Sequence, residues 1–150
     1  MVEWSDVVGA VGASLGGDRE GGRERLLACW EATTEKDHAQ RCVLAHYLAD
    51  LEPGLDDEVA WDERALAEFA HVRDDELAAL GITSAAGMAP SLHLNLGEGY
   101  RRQGRPDEAR VQVEAGLAAA PHLADDGYGA MVRTGLDRLA ERLRPDAGSR

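Results

Sequence analysis

Four side chains that can handle protons or metals, His38, Cys42, His46 and Asp50, follow one another at four-residue steps. Each such step turns about 40° around a helix, so only adjacent members of the row share a face. His46 and Asp50 can therefore grip one ion together. A zinc site built on them needs third and fourth ligands from another helix, and Asp62, His71 and His93 are the residues of suitable type. The same spacing has a purely structural reading, with Cys42 in the core, His46 hydrogen-bonded to Asp50, and His38 exposed. Nucleophilic chemistry has less to draw on. Ser5, Ser14, Ser84, Ser91 and Ser149 lie in no GxSxG elbow, and no phosphate-cradling GxxxxGK[ST] occurs. Gly97-Glu98-Gly99 falls within a helical stretch rather than in a loop after a strand, which removes it as a nucleotide fingerprint. The run from Asp125 to Gly129, DDGYG, either shapes a small pocket at a helix start or simply caps that helix.

The elements that carry these residues are helices. Val, Ile and Thr together number 15, against 25 Ala and 18 Leu, a supply that suits helices and starves a sheet. A chain of 150 residues buries enough surface to close a core without metals or disulfides, so residues 1–150 are expected to form a single all-helical domain of six to eight antiparallel helices. Asp18 and Asp37 offer N-caps. Leu44, Leu48 and Leu51 make one stripe of the helix after Asp37, and Cys42, Ala45 and Ala49 make a second, which places that helix between neighbours. Asp56, Asp57 and Glu58 load negative charge onto the next helix start, where the helix dipole favours it. Asp74-Asp75 opens a further start that runs through Leu77 and Leu80 to Gly81, and residues 57–80 are compatible with one helix or two. Residues 81–90 have the composition of a linker or lid, with Pro90 suited to a first helical turn.

Charge narrows the partners. The chain carries 28 acids against 16 bases, a net charge of -12, and that field repels a phosphate polyanion, so no nucleic-acid partner is expected. Residues 1–95 hold 19 acids and 7 bases, while residues 96–150 hold nine of each. From Asp50 to Glu76 there are 11 carboxylates against Arg64 and Arg73, either a solvated face or a cation-binding one. The first residues, with Glu3 and Asp6, lack the form of an export signal, and no run of 18 apolar residues occurs, so a cytoplasmic chain with no membrane partner is expected. Cys29 and Cys42 stand outside any CxxC spacing and read as buried thiols.

Residues 92–121, LHLNLGEGYRRQGRPDEARVQVEAGLAAAP, resemble one tetratricopeptide repeat, the best unit spanning 90–121. Leu96-Gly97, Tyr100, the turn at Gly104, Ala109 and the closing Pro121 all stand where that pattern places them. His93 replaces a frequent Trp, Val113 an aromatic, and Gly116 an Ala. A degenerate second helix pair, 37–80, offers Leu44-Ala45, Leu48, Ala65 and Phe69. Ala45 and Ala65 are twenty residues apart where Gly97 and Ala109 are twelve, an eight-residue insertion. Residues 125–144 resemble the capping helix that such arrays need over their last apolar edge. The whole chain is similar to small single-domain tetratricopeptide-like proteins of GC-rich bacteria, a likeness that brings no established activity with it; 15 of its 16 basic residues are Arg.

The resemblance implies an antiparallel helix-turn-helix array whose groove is lined by the first helix of each repeat. That surface would carry Asn95, Glu98, Arg101 and Arg102 from the good repeat, and His46 and Asp50 from the degenerate one. Paired guanidinium groups hold a carboxylate bidentately and an amide holds a peptide backbone, so an extended protein segment with an acidic group is the guest expected. Arg101 and Arg102 are also explained by their place near a helix C-terminus, where cations are favoured. The expectation is thus a non-enzymatic scaffold or adaptor that binds a protein or peptide and calls for no cofactor. The alternative is a small helical metal-dependent enzyme or sensor using His46 and Asp50. A self-associating homodimer with its interface over the groove is a third possibility.

Overall fold

Every regular element that the computed structural model builds over its described residues, 2–81 and 84–145, is helical, and the fold is all-α. Seven α-helices follow in order: α1 (Trp4–Leu15), α2 (Arg19–Ala32), α3 (His38–Leu51), α4 (Leu55–Phe69), α5 (Ala89–Arg102), α6 (Pro106–Ala119) and α7 (Gly127–Arg142). Short 3₁₀ turns occupy Ala78–Leu80, Ala85–Met88 and Ala120–His122. The chain divides into two units, Met1–Thr83 and Ser84–Arg150. The division falls within residues 81–90. Ile82 and Thr83 of that stretch lie outside the described residues, and Ala85 to Pro90 is helical rather than loop.

A carboxylate side chain caps two of the seven α-helix starts. Asp18 accepts from the Gly21 N–H at 3.0 Å, and Asp126 accepts from the Gly129 N–H at 2.8 Å. Asp37 departs from its expected role. Its carboxylate turns back to accept from the Thr34 N–H at 2.8 Å, ordering the loop before α3 instead of capping the helix. The second start at Asp74-Asp75 yields only turns and the 3₁₀ segment Ala78–Leu80, so residues 57–80 are one α-helix followed by a folded loop that buries Leu77.

In the first unit α1 packs on α2, α2 on α3, and α3 on α4, with α1 also touching α3. Antiparallel pairing follows from the cross-contacts: Arg19 of α2 reaches the Asp50 carbonyl at 3.2 Å, and His38 of α3 reaches Glu68 of α4 at 2.6 Å. Helix α3 buries Ala39, Cys42, Val43, Leu44, Ala45, Leu48, Ala49 and Leu51, the two-faced apolar pattern in its sequence. Leu44 and Leu48 are fully enclosed, each burial contributing about 1.5–3 kcal/mol. Ala45 and Ala65 are both fully buried as well. The eight extra residues between them do not lengthen the helices, since α3 and α4 have 14 and 15 residues and α5 and α6 have 14 each; instead Ala65 lies about two turns further along α4 than Ala109 does along α6.

Helices α1 and α2 meet at Gly22. A Cβ there would stand 2.6 Å from Ser14 Cα and 2.8 Å from Ser14 N, so the backbones touch. Gly22→Ala is expected to destabilise the first unit by about 1–3 kcal/mol in urea unfolding, because main chain cannot yield as a side chain does. Gly12→Ala, with nothing within 4 Å, is the comparison without a clash and should gain the helix propensity of Ala over Gly, about 0.5–1 kcal/mol. Equal stability of the two variants would refute the close contact.

The second unit is a hairpin with one more helix laid along it. His93 bonds Gln112 at 2.8 Å, and a Cβ on Gly97 would meet Gln112 Cβ at 3.3 Å and the Ala109 carbonyl at 3.5 Å, so α5 and α6 run antiparallel. Helix α7 lies against both. Leu139 would come within 3.2 Å of a Cβ at Gly97, Leu94 within 2.8 Å of one at Gly135, and Leu136 within 2.7 Å of one at Gly116. Glycines at 97, 116 and 135 thus let three helices share one core, and α7 runs parallel to α5. The turn between α5 and α6 closes at Gly104, whose φ of 76° is the left-handed conformation that glycine adopts without steric cost.

Candidate functional site

The C-terminal turn of α5 concentrates cationic side chains. Arg101 and Arg102 occupy that turn, where the dipole of α5 favours them. The guanidinium of Arg101 is already engaged: Nε donates to Glu98 Oε2 at 3.0 Å and Nη2 to Oε1 at 2.5 Å, a bidentate pair three residues apart on one face. These bonds hold the Glu98 carboxyl below its usual range against a smaller opposing effect of burial, and the charges of Arg101, Arg142 and Arg102 pull the same way. One carboxylate therefore sits in the field of three arginines. Arg142 arrives from the last turn of α7, since the parallel course of α5 and α7 brings their C-terminal ends together. Asn95 is half-buried one turn earlier on α5, and Arg102 is exposed.

Of the six residues expected to line a groove, Asn95, Glu98, Arg101 and Arg102 belong to the second unit, and His46 and Asp50 to the first. Within their own units, Glu98 lies with Arg101 and Arg102, and His46 lies with Asp50. His46 is half-buried on α3, and burial holds its imidazole below the ordinary range although Asp50 pulls the other way. Asp50 is exposed at the end of α3. Among the described residues, no group of three or more His, Cys, Asp or Glu side chains is placed to hold a metal ion together. Asp62 is instead buried, and the ring of His71 lies beside that of His38. His38, expected to be exposed, is half-buried and bonded to Glu68.

Asp62 is 4% exposed on α4, and its carboxyl is pushed up to about 8, by burial first and then by the charges of Asp50 and Glu58. Burial, with the Glu68 charge behind it, pushes the Cys42 thiol up to about 12, and burial and Asp6 also raise Cys29. Both shifts favour the protonated thiol over the nucleophilic thiolate. A stacked ladder crosses the same unit. Arg41 lies 4.9 Å above the Trp30 ring, Trp30 meets Trp61 edge-on at 5.0 Å, and Arg64 lies 4.6 Å above Trp61. Trp61 Nε1–H donates to Glu52 at 3.1 Å, and Glu52 also accepts from Arg23 at 3.0 Å.

At the start of α7 the DDGYG segment is spent on local order. Asp126 caps the helix, and a Cβ on Gly129 would overlap the Ala124 carbonyl, so the chain turns too tightly there for a side chain. The Tyr128 hydroxyl pairs with that of Ser91.

No protein-family model, curated protein or solved structure matches the chain. Among the described residues no helix is long and apolar enough to cross a membrane.

Proposed function

We propose that this protein is a tetratricopeptide-like scaffold or adaptor of the cytoplasm, and that it binds an extended protein segment bearing an acidic group at the C-terminal turn of α5. The observation that carries this reading is the gathering of Arg101, Arg102 and Arg142 around the single carboxylate of Glu98. Three guanidinium groups thus act on one carboxylate, in a chain whose overall charge is -12. A guest carboxylate would replace Glu98 on the Arg101 fork, so Glu98 acts as an internal stand-in for it. Asn95 would hold the guest's backbone.

The reading is tested by titrating an array of extended peptides with one or two carboxylates against three forms of the chain. Glu98→Gln should bind about tenfold tighter, because the competing charge is gone. Arg101→Glu with Arg102→Glu should abolish binding while changing stability by no more than about 1 kcal/mol. Affinity should fall as salt rises. Binding that ignores all three changes would leave the arginines as a helix-end device and nothing more.

A further inference from the structure

The α3–α4 hairpin holds two imidazoles that peptide binding does not use. His38 opens α3, Glu68 stands one residue before the end of α4, and His71 lies just beyond it. Antiparallel packing brings that helix start and that helix end together. His38 Nδ1–H donates to Glu68 Oε2 at 2.6 Å, and the other oxygen of Glu68 lies 3.8 Å from the Arg41 guanidinium. With the proton on Nδ1, the lone pair of His38 resides on Nε2. The ring of His71 lies 4.7 Å from that of His38, centre to centre, with the planes tilted by 30°. Two imidazoles bound to one tetrahedral ion, each at about 2.0–2.1 Å, have ring centres about 5 Å apart. Water reaches both, since His38 is 32% exposed and His71 is exposed.

The geometry points to a two-histidine site for a divalent transition-metal ion at His38 and His71, with Glu68 as the residue that positions His38. A carboxylate on the far nitrogen of a ligating histidine fixes its tautomer and raises its basicity. A pair of imidazoles selects Zn²⁺ or Cu²⁺ over Mg²⁺ and Ca²⁺, which prefer oxygen. Among the described residues no third ligand of the usual types joins the pair, so the remaining positions fall to water or to a donor from another molecule. The site is separate from His46 and Asp50, and it stands or falls independently of peptide binding at Arg101.

The test is calorimetric titration of the full chain, without a polyhistidine tag, with ZnCl₂ and CuCl₂ at pH 7.5. One ion per chain is expected. His71→Ala, a change at an exposed residue outside any helix, should weaken binding at least tenfold, and Glu68→Gln about tenfold. His46→Ala should leave it unchanged. Electron paramagnetic resonance of the Cu²⁺ form should show two coupled nitrogens in the wild type and one in His71→Ala, a readout that does not depend on the folding of a His38 variant. Undiminished binding by His71→Ala, loss of binding in His46→Ala, or no saturable binding at all would each overturn the site.

Discussion

Truncating Tyr100 to Ala should lower the unfolding free energy of the second unit by about 3–5 kcal/mol, the usual cost of removing a large buried aromatic. The ring is 7% exposed at the end of α5, where that helix turns into α6. The Arg105 guanidinium covers it at 4.3 Å, and the Tyr100 carbonyl accepts the Arg105 N–H at 2.9 Å, so the side chain and its own backbone both fasten the turn. Urea unfolding followed by helix ellipticity measures the loss. Arg105→Ala removes the cation over the ring, an interaction worth about 0.5–1 kcal/mol, together with the Arg105 bonds to Gln103 and Glu108, and should still cost less than losing the ring. A Tyr100→Ala loss below that of Arg105→Ala would mean that the ring fills no space the fold depends on.

Replacing Asp62 by Asn should act in the opposite direction and depend on pH. In the unfolded chain this carboxyl titrates near 3.8, and in the folded protein near 8. The folded state therefore holds the proton more firmly, and the stability tied to that proton is complete below about pH 4. It declines as pH rises between the two values and is gone above about pH 8. The full span is on the order of 5 kcal/mol. The amide side chain cannot ionise, so Asp62→Asn should match the wild type near pH 4 and exceed it by that order at pH 9. The variant-minus-wild-type curve isolates this effect from groups of opposite sign such as Glu98, whose lowered pKa favours the fold at higher pH. Parallel stability profiles for the two proteins would show that Asp62 is solvated.

The helices were legible because their signals are local. Asp18 and Asp126 cap where their positions suggest, and Leu96-Gly97 with Ala109 marks a close crossing that the distances bear out. Local signals also misled where two partners competed. Asp37 has the spacing of an N-cap, yet Thr34 offers its carboxylate a donor on the other side. At the candidate site, the sequence places Glu98 three residues before Arg101 and four before Arg102, and both spacings permit an ion pair. Only the side-chain geometry shows which arginine closes the fork. Arg142 could not be joined to them from sequence, because its approach depends on α7 running parallel to α5. Asp62 carried a legible sign: it lies three residues from both Val59 and Ala65, on a face that those two buried residues mark as internal. The Trp30–Trp61 contact had no such sign, since it joins α2 to α4 across thirty-one positions of chain.

Apart from α7, which divides its packing between α5 and α6, each helix packs chiefly on the one just before or after it in the chain. The segments that must find one another are joined by short turns, so the entropy lost in closing each loop is small. Chains organised in this way cross their folding barrier quickly, in microseconds to milliseconds for helical domains of low contact order. Synthesis adds about 5–20 residues each second, far slower than that crossing. A hairpin such as α3–α4 can thus mature while α5 is still being translated, and little apolar surface need wait uncovered for a partner encoded far downstream.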